Sequence, residues 1–187
     1  IPAMQNLLNE NNIDQEQLAF IAADIGPGAF TCVRVTLATL NGIGLSKKIP
    51  LIGVSGLDAL HAAVQERSVA TTNIAVMLNA YNDDCYLCLV VQGKKILETS
   101  LPIIECINAL KACAQTQTVM IVGNALLLHR ELLTSELVGW HVIYIEQPMA
   151  CPAVAVGRLG LAFYEAGRYG DALVANYLKM QQFVVAK

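Results

Sequence analysis

The run Asp24-Ile25-Gly26-Pro27-Gly28-Ala29-Phe30-Thr31-Cys32-Val33-Arg34-Val35 constrains the fold more than any other stretch of this chain. Ahead of it, the apolar segment Leu18 to Ala23 reads as a buried strand that runs on to Ile25. Behind it, Thr31 to Leu45 carries small and apolar residues at helical spacing. Val33, Leu37, Leu40 and Gly44 share one face there, and Ala38 and Gly42 add small surfaces. A strand, a glycine turn and a helix with a threonine at its mouth aim about four backbone N–H groups at one spot.

Two chemical readings fit the Gly26-Pro27-Gly28 turn. It can cradle a phosphate, because the helix behind it carries partial positive charge at its N-terminus. Alternatively, the glycines only supply positive φ and let elements pack closely. The second reading is preferred: there is no Walker lysine, and Arg34 is the only nearby cation. Asp24 suits either a Mg²⁺ ion or local hydrogen bonds at the helix entry, and the latter is preferred. Arg34 can reach a neighbouring loop, a structural ion pair or a partner carboxylate.

Other catalytic arrangements find little support. His61, His129 and His141 are far apart, and none has a second ligand-type residue at metalloprotease spacing. Ser55 in Val54-Ser55-Gly56 reads as a helix cap, and no serine sits in a nucleophile-elbow context. Cys85 and Cys88 could form half a zinc site, but the chain has no second such pair. Their odd offset in a strand-like run also sends the two side chains to opposite faces. No catalytic, cofactor-binding or metal-binding residue is therefore assigned.

Bulk properties narrow the class. Hydrophobic residues make up 55% of the 187 and charged residues 14%, against about 25% charged in an average domain. So few charges fit either an apolar surface that meets another chain, which is the preferred reading, or an alanine-rich, tightly packed core with a plain surface. A net charge of −3, with no basic run longer than Lys47-Lys48 or Lys94-Lys95, argues against direct nucleic-acid binding. The six cysteines (Cys32, Cys85, Cys88, Cys106, Cys113 and Cys151) are scattered through apolar segments, as in a reduced cytoplasmic protein. No signal peptide or membrane span stands out.

Along the chain, Ile1 to Asn11 reads as a helix with Met4, Leu7 and Leu8 on one face. Pro50 to Val54 is a short strand, and a helix follows from Ser55 to about Gln65. This strand–helix alternation belongs to a parallel α/β layer. Past a polar joint, Gln65 to Thr72, three strands follow (Ile74 to Asn79, Cys85 to Val91, Ile96 to Leu101) with hairpin turns between them. Helix Ile104 to Ala114, strand Thr118 to Val122, helix Asn124 to Thr134, strand Trp140 to Glu146 and helix Pro152 to Ala166 complete the order. Three antiparallel strands followed by alternating helix and strand is the order of an RNase H-like lobe. The expected architecture is α/β, with a partial first lobe over 1–68 and a second lobe over 69–187. Judged against the second lobe, the first lacks its three opening strands, about forty residues. The start at Ile1, with a helix under way, reads as a start inside a longer gene product.

Asp24 to Ala38, followed by Ile49-Pro50-Leu51-Ile52-Gly53-Val54-Ser55-Gly56-Leu57-Asp58-Ala59-Leu60, resembles the TsaB (YeaZ) family, which reads close to GPGSFTGLRIGLATAKGLA and IPLVGVSSLEAL. Asn79-Ala80-Tyr81 through Asp84-Cys85-Tyr86, Val122-Gly123-Asn124 and Tyr177-Leu178-Lys179 resemble its later DAR…EVY, VGNG and YLR segments. Ala29, Cys32, Thr36, Asn79 and Tyr81 depart from the family pattern. The resemblance implies the actin-like, sugar-kinase (ASKHA) fold of two RNase H-like lobes, without an active site or cofactor of its own. It further implies a scaffold subunit in making threonylcarbamoyladenosine next to the tRNA anticodon. The implied partners are the catalytic paralogue TsaD and the ATPase TsaE, with a homodimer when alone, tRNA met only indirectly and no membrane.

In this family the homodimer forms through first-lobe helices, so the implied partner interface is Met4, Leu7, Leu8, Thr31, Val33, Arg34, Leu37, Leu40, Ile43 and Gly44. Leu37→Asp is accordingly expected to break assembly while leaving the monomer folded. The rival functions are an ATP-binding enzyme or nucleotide switch of the same superfold, and a glycoprotease-like hydrolase.

Overall fold

The computed structural model describes residues 2–65, 73–114, 116–145 and 152–179. Helix α1 (Pro2–Glu10) is followed by a turn at Asn11 and Asn12, and Asn12 takes a left-handed φ of 52°. A short 3-10 turn, Gln15–Gln17, leads into β1 (Ile21–Asp24), which pairs in parallel with β2 (Leu51–Val54) across helix α2 (Phe30–Lys47). The strand expected from Leu18 begins at Ile21 instead. Its partner offers only four residues in register, Ile21 opposite Leu51 through Asp24 opposite Val54, so the ladder stops there. Helix α3 (Gly56–Gln65) follows β2 directly.

The second sheet holds five strands in the order β5-β4-β3-β6-β7. β3 (Asn73–Asn79), β4 (Asp84–Val91) and β5 (Lys94–Pro102) form the expected antiparallel meander. Its first turn carries Tyr81, Asn82 and Asp83 all at positive φ, and the second is the pair Gln92-Gly93, also at positive φ. Helix α4 (Ile103–Cys113), β6 (Thr118–Val122), helix α5 (Ala125–Glu136) and β7 (His141–Ile145) then build the parallel half. Gly123, between β6 and α5, has φ +118°, and a Cβ there would lie 2.2 Å from the Met77 carbonyl oxygen. Only glycine fits that crossing.

Strand alternation decides what each sheet buries. Cys85 faces the core beneath α4 and α5, while Cys88 faces the core beside α3, so the pair does lie on opposite faces. In the first sheet Ala23 and Leu51 turn toward α2, whereas Ile52 and Val54 turn toward α3 and α6 (Ala153–Glu165). The last helix among the described residues, α6 thus returns to the first sheet: it packs on β1, β2 and α3, with Gly160 drawn so close that a Cβ would lie 2.4 Å from that of Ala22. The expected division at 68/69 falls in residues 66–72, outside the described residues. Among the described residues no helix is long and apolar enough to cross a membrane.

Helix α3 joins the two sheets. Leu57, Leu60 and Val64 pack with Ile74, Val76, Cys88, Val90, Met120 and Val122 of the second sheet. Ala59 and Ala63 pack with Ile52, Val54 and α6 on the other side. A helix apolar on two faces is one that must be sandwiched. Leu57 is fully buried, so Leu57→Ala is expected to cost about 2–5 kcal/mol in a urea unfolding experiment. A loss below 1 kcal/mol, on the order of a surface substitution, would show that the sandwich is not the main tie between the sheets.

Candidate functional site

The glycine turn is closed by its own neighbours. Asp24 accepts a hydrogen bond from the Gly26 N–H at 2.8 Å. Its carboxylate lies so close to Gly56 that a Cβ there would sit 2.9 Å from Oδ1. Gly26 holds φ +98°, and its carbonyl accepts from Gly56 N–H. The Asp24 carboxylate is thus held between the glycine turn and the start of α3, where its negative charge disfavours a second anion close by. Local hydrogen bonding was the preferred reading of Asp24, and this geometry agrees with it.

A polar group beside the turn escaped sequence reading. Lys95 on β5 pairs with Asp58 of α3 and Glu98 of β5, each at 2.5 Å. Asn176 donates to Glu98 at 3.2 Å, and the Ser55 hydroxyl donates to the same carboxylate at 3.5 Å. Burial lowers the Lys95 pKa, but the hydrogen bonds and charges of Asp58 and Glu98 outweigh it and raise the pKa above its ordinary value. Asp58, Cys88 and Glu98 bring three ligand-type atoms within 4.8 Å of one another. The Lys95 ammonium already supplies positive charge to both carboxylates, so a metal would have to compete with it. Asp58 and Glu98 are forty residues apart in the chain, in unrelated elements, which is why no spacing rule brought them together.

The interface implied by the family resemblance splits into two sets. Leu37 is 4% exposed and packs against Ala23, Leu51 and Leu173. Gly44 is pressed on Leu51, where a Cβ would meet side-chain carbons at 2.7–2.9 Å. Val33 and Leu40 pack on that same core, and Leu8 is buried. Met4 and Ile43 are half-buried. Thr31, Arg34 and Leu7 are exposed. On the outward side of α2, Val35 (61% exposed) and Leu45 (78%) stand with Cys32, Thr36, Ala38 and Gly42. The family resemblance puts Val33, Leu37, Leu40 and Gly44 at a partner interface; here they pack on the chain's own first sheet, and the exposed face of α2 is turned away from it.

Arg34 is held in place rather than paired with an acid. Its Nε donates to the Tyr177 hydroxyl at 2.8 Å, and its guanidinium lies 4.0 Å over the Phe30 ring. Of the expected readings, the reach to a neighbouring loop is the one the geometry supports. The histidines remain apart, and burial lowers the pKa of His61. Burial, assisted by nearby acidic groups, pushes the Cys85, Cys88 and Cys106 thiols up to about 12. Cys151 lies outside the described residues.

Comparison with known proteins gives this geometry a context. Residues 1–133 match the family described as TsaD: tRNA N6-adenosine threonylcarbamoyltransferase. The tRNA threonylcarbamoyladenosine biosynthesis protein TsaB of Buchnera aphidicola subsp. Schizaphis graminum (strain Sg) is 32% identical over 80 residues, 43% of this chain and 38% of that protein. TsaB of Escherichia coli (strain K12) is 29% identical over 77 residues, 41% of this chain and 33% of that protein. The aligned region thus spans well under half of these relatives. Among solved structures, a Pseudomonas aeruginosa protein described as similar to peptidase YEAZ superposes with TM-score 0.76 at 22% identity, covering 95% of this chain and 82% of that one. YeaZ from Pseudomonas aeruginosa gives TM-score 0.73 at 21% identity, covering 94% and 82%. The fold is thus the α/β fold of these YeaZ structures.

Two outcomes follow from the burial of these side chains. Leu37→Asp places a charge in the first-sheet core, so it is expected to unfold the chain, seen as loss of cooperative melting by circular dichroism. A folded Leu37→Asp monomer would put Leu37 outside that core. The thiols set an alkaline limit. They ionise near 8.5 when unfolded but hold their protons to about 12 when folded. Their contribution is therefore complete below the unfolded pKa and is lost as pH rises toward the folded one. Urea midpoints should fall between about pH 8 and about pH 10.5, and replacing Cys88 with Ala should flatten the fall. An unchanged slope in that variant would contradict the assignment.

Proposed function

Because the chain belongs to the TsaD family of tRNA N6-adenosine threonylcarbamoyltransferases and stands with its TsaB (YeaZ) members, we propose that it is a non-catalytic scaffold subunit in threonylcarbamoyladenosine synthesis on tRNA. In this reading it binds a TsaD-like catalytic paralogue in the cytoplasm and supports its active arrangement, with a TsaE-like ATPase joining the pair. Alone, it forms a homodimer through the same face. It meets tRNA only through its partners, in keeping with a net charge of −3 and the lack of a basic stripe in the sequence.

The outward face of α2 carries this reading. Val35 and Leu45 leave large apolar side chains in water on a helix whose other side is already committed to the core. Cys32, Ala38 and Gly42 beside them are small enough to admit a second helix closely. Thr31 and Arg34 mark the polar end of the patch, and Leu7 on α1 offers further apolar area. Val33, Leu37, Leu40 and Gly44 then support the face from behind, and Met4, Leu8 and Ile43 complete the proposed interface region. The non-catalytic part is in keeping with a glycine turn whose Gly26 N–H is already taken by a carboxylate, Asp24.

The test is binding to the cognate TsaD-like protein, followed by sizing chromatography and calorimetry. Val35→Asp combined with Leu45→Asp should weaken the complex at least about tenfold and leave the melting temperature of the chain nearly unchanged. Unaltered affinity in that double variant would place the partner elsewhere. Heat from ATP–Mg²⁺ binding to the isolated chain would instead favour a nucleotide-using enzyme.

A further inference from the structure

Residues 173–179 form neither helix nor strand, yet they are bonded to both halves of the molecule. At the near end Leu173 is buried with Ala23, Leu37 and Leu51. Its N–H donates to Asn41 Oδ1 of α2 at 2.7 Å, and Asn41 Nδ2 donates back to its carbonyl at 3.1 Å. In the middle, Asn176 N–H donates to the Ile25 carbonyl at 2.8 Å, while its side chain reaches Glu98 on β5. The Tyr177 hydroxyl accepts from Arg34, and its ring lies 5.6 Å from Phe30. At the far end Leu178 packs on the second-sheet core. Lys179 pairs with Asp84 at 2.7 Å and donates to the Ala80 carbonyl at 3.0 Å, fastening the segment to the β3–β4 turn.

We propose that residues 173–179 are an interlobe clasp that closes as a unit, tying α2 and the glycine turn to the β3–β4 turn. The physical basis is loop closure. Once one end is fastened, the rest of so short a segment is confined near its own acceptors, so each contact lowers the entropy cost of the next. Two features make cooperation more than adjacency. Asn176 bonds to both halves at once, through its backbone to Ile25 and through its side chain to Glu98. The ends also use different forces, apolar burial at Leu173 and a charge-assisted contact at Lys179, so neither substitutes for the other. The positive φ values at Tyr81, Asn82 and Asp83 turn the Ala80 and Tyr81 carbonyls toward Lys179, giving it a preformed seat. The clasp stands whether or not α2 meets a partner, and it concerns the free chain.

Amide hydrogen exchange on the full chain tests it, with Lys179→Ala loosening the far end and Asn41→Ala the near end. Each variant should speed exchange at Asn176 by about tenfold. Lys179→Ala should also speed Leu173, and Asn41→Ala should also speed Ala80, whose N–H bonds to the Asp84 carbonyl inside the turn. Val76, in the central strand β3, reports global stability and should not change. If each variant speeds only the amides beside it, the segment is a row of independent contacts and the clasp is refuted. If Val76 accelerates equally, the variants act by global unfolding, and the proposal of a separately opening clasp fails.

Discussion

The two sheets are tied to each other by the burial of α3 on two sides. Its larger residues, Leu57, Leu60 and Val64, fill the second sheet, and its alanines, Ala59 and Ala63, let α6 and the first sheet come close. Side-chain size thus sets which sheet lies where. The helix N-terminus then falls between the glycine turn and β5, which is why Ser55, Gly56 and Asp58 all belong to the polar group at the junction. A helix of this kind is expensive to expose, since both of its faces would meet water together. The relation between the two sheets is therefore a core property rather than a surface one.

The contrast between the two faces of α2 bears on function more directly than any titratable group. One face completes the first-sheet core, and the opposite face is apolar without a covering element among the described residues. Amphipathic reasoning separates an apolar stripe from a polar one, and on α2 both sides are apolar to some degree. Hydrophobic periodicity therefore could not say which side was free. The choice between Leu37 and Val35 is made by the strands: once β1 and β2 align, Ala23 and Leu51 point at one side only.

Much of the fold was legible because the local signals agreed. The strand–turn–helix around Gly26, the three-strand meander with its two positive-φ turns, and the opposed faces of Cys85 and Cys88 all follow from short-range pattern. What was not legible depends on distant pairs. Lys95 with Asp58, Asn176 with Glu98, Tyr177 with Arg34 and α6 with β1 each join segments whose meeting no spacing rule encodes. The expectation that Arg34 reaches a neighbouring loop named the right kind of contact, but nothing near it in sequence identified Tyr177. The short β1 is a further case: Leu18 to Phe20 have strand-like composition and no strand to lie against.

The return of α6 to the first sheet has a consequence for the order in which the chain can be completed. The five strands of the second sheet, with α4 and α5, come from one stretch, residues 73–145, joined by α3 from before it and by contacts of Asn176, Leu178 and Lys179 from after it. The first sheet is different. Its β1 and β2 are made early, but the surfaces that cover them include Val156, Ala155 and Leu173, near the end of the described chain. During synthesis those two strands wait with an uncovered face while the whole second sheet emerges and closes. These two strands, which precede the second sheet in the chain, thus depend for their cover on residues that follow it.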